Sequence, residues 1–174
     1  MVTRVTSLRR AARLLAPREN AGVAAVEFAL YAAVFLMIVA ATVDIGLTLF
    51  AQSELDAAVS AGAEYAANTA ALVADATLNT AISDIVDNAN GSGWATSTVN
   101  VNNGNDSTGC YCPTGTPGNW VWGNTVTCGS SCSGGGVAGQ FVTITASRAI
   151  SPIFSSFGFA PNGTITRSAL VETQ

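Results

Sequence analysis

The sequence predicts an α+β protein: a long N-terminal helix, half of it transmembrane and half exported, followed by a small antiparallel β-sheet domain with disulfide-closed loops. Three features indicate this: a long apolar stretch near the N-terminus, an alanine-rich segment without proline, and later stretches of alternating polarity that flank four cysteines. We expect a basic cytoplasmic leader at 1–22, a transmembrane helix at 23–50, an exported helix at 51–90 and an exported β-rich domain at 91–174.

The charges divide the chain into two parts. Five of the seven basic residues lie within the first eighteen positions, whereas from Val23 onward two arginines face ten acids, a net charge of −8. The positive-inside rule then places the N-terminus in the cytoplasm and sends the segment after about Phe50 across the membrane. The acidic remainder repels phosphate, so we expect no nucleic-acid partner.

The apolar stretch has the length of a membrane span. Phe28 to Val43 contains no charge, and a helix from Val23 to Asp44 covers about 32 Å, which matches a hydrocarbon core of ~30 Å. A cleaved signal peptide is one alternative, but the apolar stretch is slightly long for one and continues as helix without a clean break at a cleavage site. A plain membrane anchor is another, but it does not explain the acid Glu27 near the head of the span. We expect Asp44, at the far end, to be a solvated acid at the membrane interface.

Several motifs in this region resemble one protein family. Gly22-Val23-Ala24-Ala25-Val26-Glu27-Phe28 resembles the cleavage site of type IV prepilins, in which a basic leader ends in glycine and glutamate is fifth in the mature chain. More narrowly, the stretches 24–30 (AAVEFAL), 43–46 (VDIG) and 61–66 (AGAEYA) resemble the TadE-like minor pseudopilins of tight-adherence (Flp) pilus systems.

The resemblance implies that a prepilin peptidase cuts between Gly22 and Val23 on the cytoplasmic side. It further implies a single-pass protein of the bacterial inner membrane with a periplasmic C-terminal domain, either retained there or incorporated into an extracellular pilus. Its partners would be the peptidase, other pilin-like subunits, the inner-membrane pilus assembly platform and the membrane itself.

The same resemblance assigns Glu27 and its neighbour Phe28 to subunit assembly. After cleavage the new amine of Val23 is a cation one helical turn from Glu27, so the carboxylate can pair with that amine or with the same amine of a neighbouring subunit. The alternative is that Glu27 only complements the positive end of the helix dipole, an effect of ~0.3–1 kcal/mol.

The exported helix shows two stripes. Leu78, Ile82, Ile85, Val86 and Ala89 recur at helical spacing as an apolar stripe. A second stripe of small residues allows close approach of another element, either the chain's own C-terminal domain or a neighbouring subunit, and comprises Ala58, Gly62, Ala66 and Ala70.

Beyond this helix the composition changes to that of strands and loops. Asparagine and glycine at 88–93 end the helix. Period-two patterns predict strands at Thr96–Val101, Trp120–Cys128, Phe141–Ala146 and Thr164–Val171, and Gly, Ser, Asn and Pro between Cys110 and Gly139 indicate loops.

Cys110, Cys112, Cys128 and Cys132 lie in this loop region. In an exported segment we expect two disulfides, and a bridge between Cys110 and Cys112 would be strained. Two pairings remain, of which the nested one, Cys112 with Cys128 and Cys110 with Cys132, suits an antiparallel hairpin. A four-thiolate zinc site is the alternative.

Function divides into three hypotheses. The first is a structural pilin-like subunit. The second is an anchored exported binding protein whose distal surface uses the aromatic residues that cluster near the loops, Trp94, Trp120, Trp122 and Tyr111. The alternative for these aromatic residues is that they only cover a thin core. The third, an exported enzyme, is disfavoured because the chain has no lysine or histidine, so we expect neither catalysis nor a cofactor or metal.

Overall fold

The computed structural model describes residues 21–70, 74–105, 109–152 and 163–173. The leader and its arginines therefore lie outside the described residues. In chain order the elements are helices α1 (Ala21–Thr69) and α2 (Asp75–Asp87), strand β1 (Thr96–Val101), a single turn α3 (Asn102–Asn105), and strands β2 (Thr114–Thr116), β3 (Asn119–Val121), β4 (Phe141–Ala149) and β5 (Thr164–Glu172). The α+β prediction is confirmed.

Contacts divide the chain into two units, 1–43 and 44–174. In the first, the described residues form the N-terminal part of α1. The second contains the rest of α1 together with α2 and all strands, and it holds the hydrophobic core. The two units are described separately below.

The predicted single helix over 51–90 is wrong, because two helices occupy this range. α1 ends at Thr69 and α2 begins at Asp75. The apolar stripe of α2 explains the break: Leu78, Ile82 and Val86 are fully buried, and α2 must fold back along α1 to bury them. α2 ends where expected, with Asn88 at its C-terminal cap.

The small-residue stripe is where α1 receives this packing. Gly62 is buried, and a Cβ added there would lie 2.9 Å from Val86 Cγ2, 3.2 Å from Ile82 Cγ2 and 3.5 Å from Ile144 Cδ1. Ala58 and Ala66 on the same face are also buried. Of the two alternatives, the structure shows packing against the chain's own domain. The close approach of α2 and β4 to α1 at this point depends on the absence of a side chain at Gly62.

The main sheet is antiparallel with strand order β1-β4-β5. Val99 pairs with Ile144, which pairs with Ala169 on the other side. Val142, Ile144 and Ala146 alternate along β4 and are fully buried in the core shared with the helices, as expected for a sheet with one buried face. Strand predictions at 96–101, 141–146 and 164–171 are confirmed, with β4 and β5 slightly longer.

The predicted strand Trp120–Cys128 is largely wrong. Only Asn119–Val121 is a strand, and it pairs with Thr114–Thr116 in a separate two-stranded hairpin. Gly118 turns this hairpin with a φ of 85°, a conformation that glycine adopts at little steric cost. From Trp122 to Cys128 the chain makes only an isolated bridge, Val126 to Cys110, so the disulfides rather than a strand ladder order this segment.

Two disulfides close the loop region, and their connectivity differs from the nested pairing. Cys110 bonds Cys128 and Cys112 bonds Cys132, with Cα–Cα distances of 5.1 and 5.7 Å. The nested pairing requires a regular hairpin from 112 to 128, whereas the observed hairpin turns early, at Gly118. The four sulfurs are thus bonded in pairs and not available as the thiolates of the zinc alternative.

Candidate functional site

The N-terminal part of α1 presents an apolar surface on every side. Within the described residues, α1 is the one helix long and apolar enough to span a membrane, and its most apolar window is not buried. More than half of the surface of Val23, Phe28, Leu30, Tyr31 and Phe35 is exposed. Because a soluble domain rarely exposes such a large apolar surface, this helix requires an apolar environment.

The predicted processing and assembly residues lie at the head of this helix. Gly22 is helical, as part of α1 from Ala21 onward, and an added Cβ at Gly22 would meet nothing within 4 Å among the described residues. Val23, Glu27 and Phe28 are all exposed. Glu27 follows Val23 by four residues, about 6 Å along the axis, and side chains tilt toward the N-terminus, so its carboxylate projects toward Val23.

Asp44 differs from its predicted environment. Instead of being a solvated acid, it is only 6% exposed, and it belongs to the second unit. One turn later the buried Thr48 donates its hydroxyl to the Asp44 backbone carbonyl at 2.9 Å. Position along the sequence indicated the membrane interface, but burial depends on the chain segments packed around this turn.

A polar cluster links the next turns of α1 to the sheet. Arg148 Nη1, near the end of β4, lies 2.8 Å from Glu54 Oε2, and Asn90 Nδ2 donates to Glu54 Oε1 at 3.1 Å. The Arg148 guanidinium also lies over the Trp94 ring, 4.6 Å from its centroid. Each charged side chain of the pair is about a quarter exposed, so this is a half-buried connection between α1, β4 and the loop after α2.

A second arginine, Arg167 in β5, also links the sheet to α1. Arg167 Nε lies 2.8 Å from Asp56 Oδ1, and Arg167 Nη2 donates to Gln52 Oε1 at 2.9 Å. Sequence reasoning missed both ion pairs. The available signal was that the two arginines after the leader both lie within predicted strands or next to one, where a charge needs a partner.

The aromatic residues do not form one cluster. Tyr111 and Trp122 make an edge contact with ring centroids 5.6 Å apart, whereas Trp94 lies over Arg148. Trp120 lines a cleft together with Phe141 at the opposite end of β4, and the seven residue steps from Phe141 to Arg148 span roughly 23 Å of strand. The predicted grouping of Trp94 with the other three is therefore wrong.

The cleft beside Trp120 has a volume of about 450 Å³ and lies between the β2–β3 hairpin, the glycine-rich loop at 133–136 and the sheet. Leu170 and Glu172 of β5 complete its walls. Among the described residues, the buried Trp120 Nε1 has no hydrogen-bond partner. The cleft thus combines apolar side chains such as Phe141 and Leu170 with the Glu172 side chain and the polar backbone of the glycine-rich loop.

Together, the described residues contain one candidate membrane-spanning helix near the N-terminus and a disulfide-closed α+β domain, features that fit membrane anchoring. Residues 22–64 match the family model described as TadE-like protein, which confirms the TadE-like family expected from the motifs in this segment. The family implies a pilin-like protein associated with a Tad/Flp pilus. Comparison with curated proteins and with solved structures gives no significant match.

Proposed function

We propose that the chain is a minor pilin-like structural subunit, without enzymatic activity, that is cut by prepilin peptidase after Gly22 and takes part in assembling an adhesive Flp pilus. The observation that carries the proposal is the head of α1: an exposed apolar helix within the TadE-like segment, with Glu27 one turn after Val23. In this proposal the α+β domain is periplasmic and the leader is cytoplasmic.

In this proposal, cleavage supplies a positive charge that can pair with the Glu27 carboxylate. The released Val23 amine is a cation at the edge of the membrane, and assembly brings it beside the Glu27 carboxylate of a neighbouring subunit. A carboxylate in an apolar environment is tolerated when it is paired, so the pairing favours one axial offset between subunits. Phe28, which is 74% exposed, packs against the neighbouring helix at the same level.

The proposal is tested in cells that carry the pilus system and a deletion of this chain. Glu27→Ala should be processed normally but fail to restore pili, whereas Gly22→Ala should remain uncleaved. Glu64→Ala is the matched control, because Glu64 is another exposed acid on α1, outside the apolar stretch. If Glu27→Ala restores pili as well as Glu64→Ala does, the pairing role is excluded.

The cleft beside Trp120 favours a second function for the same anchored protein, contact between its distal surface and a ligand. Trp120→Ala would then reduce attachment of cells to a surface while the number of pili stays normal. Trp122→Ala is the control, since Trp122 packs on Tyr111 instead of lining the cleft. Equal attachment of both variants and the unmodified protein would exclude this function.

A further inference from the structure

The two edge strands of the main sheet, β1 and β5, differ in how their outward-facing backbone groups are hydrogen-bonded. Helix α2 packs beside β1, and Asn79 Nδ2 donates to the Val99 carbonyl at 3.0 Å. Val99 lies opposite Ile144, and the backbone N–H and C=O of Ile144 point toward β5 rather than toward β1. In an antiparallel pair, two opposite residues either bond each other or both point away, so the Val99 carbonyl points outward from the sheet. A side chain of α2 thus satisfies an outward group of the β1 edge.

The outward groups of β5 can be assigned from its two ends. Gly163 O accepts from Ile150 N and Thr173 N donates to Gln140 O, both at 2.8 Å. Along an antiparallel strand, the backbone N–H and C=O groups of successive residues point alternately to one side and the other. Since Gly163 and Thr173 both bond to the β4 side, the odd-numbered residues between them direct their backbone groups toward β4. The residues whose N–H and C=O face outward are Thr164, Thr166, Ser168, Leu170 and Glu172.

This outward row lacks a backbone partner among the residues that the structure describes. The Thr166 carbonyl accepts a hydrogen bond from Arg167 Nη1 at 3.0 Å, and it retains a second lone pair. β5 contains no proline, glycine or bulge over its nine residues. Edge strands are normally protected by such features, and a long regular edge without them is a template for another strand.

We propose that β5 pairs antiparallel with β5 of a second copy of this chain, centred on Ser168, so that two three-stranded sheets become one continuous sheet. In this register Thr164 lies opposite Glu172 and Thr166 lies opposite Leu170, and Ser168 lies opposite itself. Outward-facing residues therefore meet outward-facing residues along the whole strand, and each backbone group gains a partner.

The side chains of β5 favour a second copy as the occupant. Ile165 would lie opposite Val171 on the helix-facing side, which extends the apolar face of the sheet across both copies. Arg167, held by its own Asp56, would face Ala169, and Glu172 would face Thr164. No like charges oppose each other, although the chain is acidic. A two-fold contact of this kind closes on itself and gives a dimer.

The proposal goes beyond the pilin-like role and is independent of processing at Gly22. It is tested with the full chain in lipid nanodiscs carrying Ser168→Cys, treated with copper phenanthroline. Two cysteines at the centre of the paired strands lie within the Cα–Cα range of a disulfide. Thr145→Cys is the matched control, because Thr145 is half-buried on the same face and pairs with Ser168 from the middle strand.

We expect disulfide-linked dimers several-fold more abundant for Ser168→Cys than for Thr145→Cys, with a 168–168 linkage identified by mass spectrometry. Ser168→Pro should shift the full chain toward monomer in analytical ultracentrifugation, because proline removes an outward N–H but no bond to β4. Circular dichroism checks that both variants keep the fold. Equal cross-linking of the two cysteine variants, or an unchanged dimer fraction in Ser168→Pro, would overturn the proposal.

Discussion

Arg148 Nη1 lies 2.8 Å from Glu54 Oε2, and this ion pair joins the end of β4 to α1. Because Trp94 stacks on the same guanidinium and Asn90 binds the same carboxylate, four residues from three parts of the chain meet at one point. The contact fixes how the strands and the loop after α2 sit along residues 44–69 of α1.

Arg148→Ala should lower the free energy of unfolding by about 1–2 kcal/mol, since it removes a half-buried ion pair and a cation–π contact. Chemical denaturation of the full chain in detergent measures this change. In a double-mutant cycle with Glu54→Gln the two substitutions should be non-additive. Strict additivity would mean that Glu54 and Arg148 do not stabilise each other.

Gly62→Val should lower the free energy of unfolding by about 1–3 kcal/mol through overpacking. Its Cβ alone would lie 2.9 Å from Val86 Cγ2 and 3.2 Å from Ile82 Cγ2, so α2 would have to move away from α1. The measurement is the shift in the denaturation midpoint.

The matched control for Gly62→Val is Ala61→Val, which places the same β-branched residue at the neighbouring, exposed position of the same helix. Ala61→Val should change stability by a few tenths of a kcal/mol, the difference in helix propensity. Equal effects at both positions would contradict the close contact of α1 with α2 at Gly62.

Peptide mapping should recover the linkages Cys110–Cys128 and Cys112–Cys132. Chymotrypsin can cut after Tyr111 and so separates Cys110 from Cys112, but the stretch 128–132 (CGSSC) has no cleavage site and keeps Cys128 and Cys132 on one peptide. Tandem mass spectrometry of the non-reduced product, with backbone fragmentation between Cys128 and Cys132, then shows which of these two cysteines carries the Cys110 peptide. Recovery of Cys110–Cys132 and Cys112–Cys128 would contradict the structure.

Replacing Cys112 and Cys132 together with serine should cost roughly 3 kcal/mol of stability, as expected for a closed loop of about twenty residues. The loss should be similar for the Cys110–Cys128 pair, whose sequence separation is 18 residues against 20. Thermal unfolding of the oxidised proteins measures both. An unchanged melting temperature in either double variant would show that its disulfide does not stabilise the domain.

Local patterns predicted the elements whose signal lies within a few residues. The alternation of Phe141–Ala146 and the apolar stripe of Leu78, Ile82 and Val86 were sufficient for a strand and a helix. The break after Thr69 was missed because no proline or glycine marks it. It follows from the requirement that α2 return to Gly62, a contact between distant parts of the chain.

The same distinction holds for the candidate site. Gly22, Val23 and Glu27 form a local motif, and the sequence was sufficient to identify it. In contrast, the burial of Asp44, the two ion pairs of α1 with the sheet and the separation of Trp94 from Trp120 depend on which segments pack together. The cysteine pairing likewise depends on where the hairpin turns, at Gly118.

The most direct test of the proposed function is the N-terminal sequence of the chain purified from membranes of cells that contain prepilin peptidase. The proposal predicts that the mature chain begins at Val23 and that Gly22→Ala abolishes this cut. A chain that still begins at Met1, or one that begins near residue 50 as after signal-peptide cleavage, would contradict it.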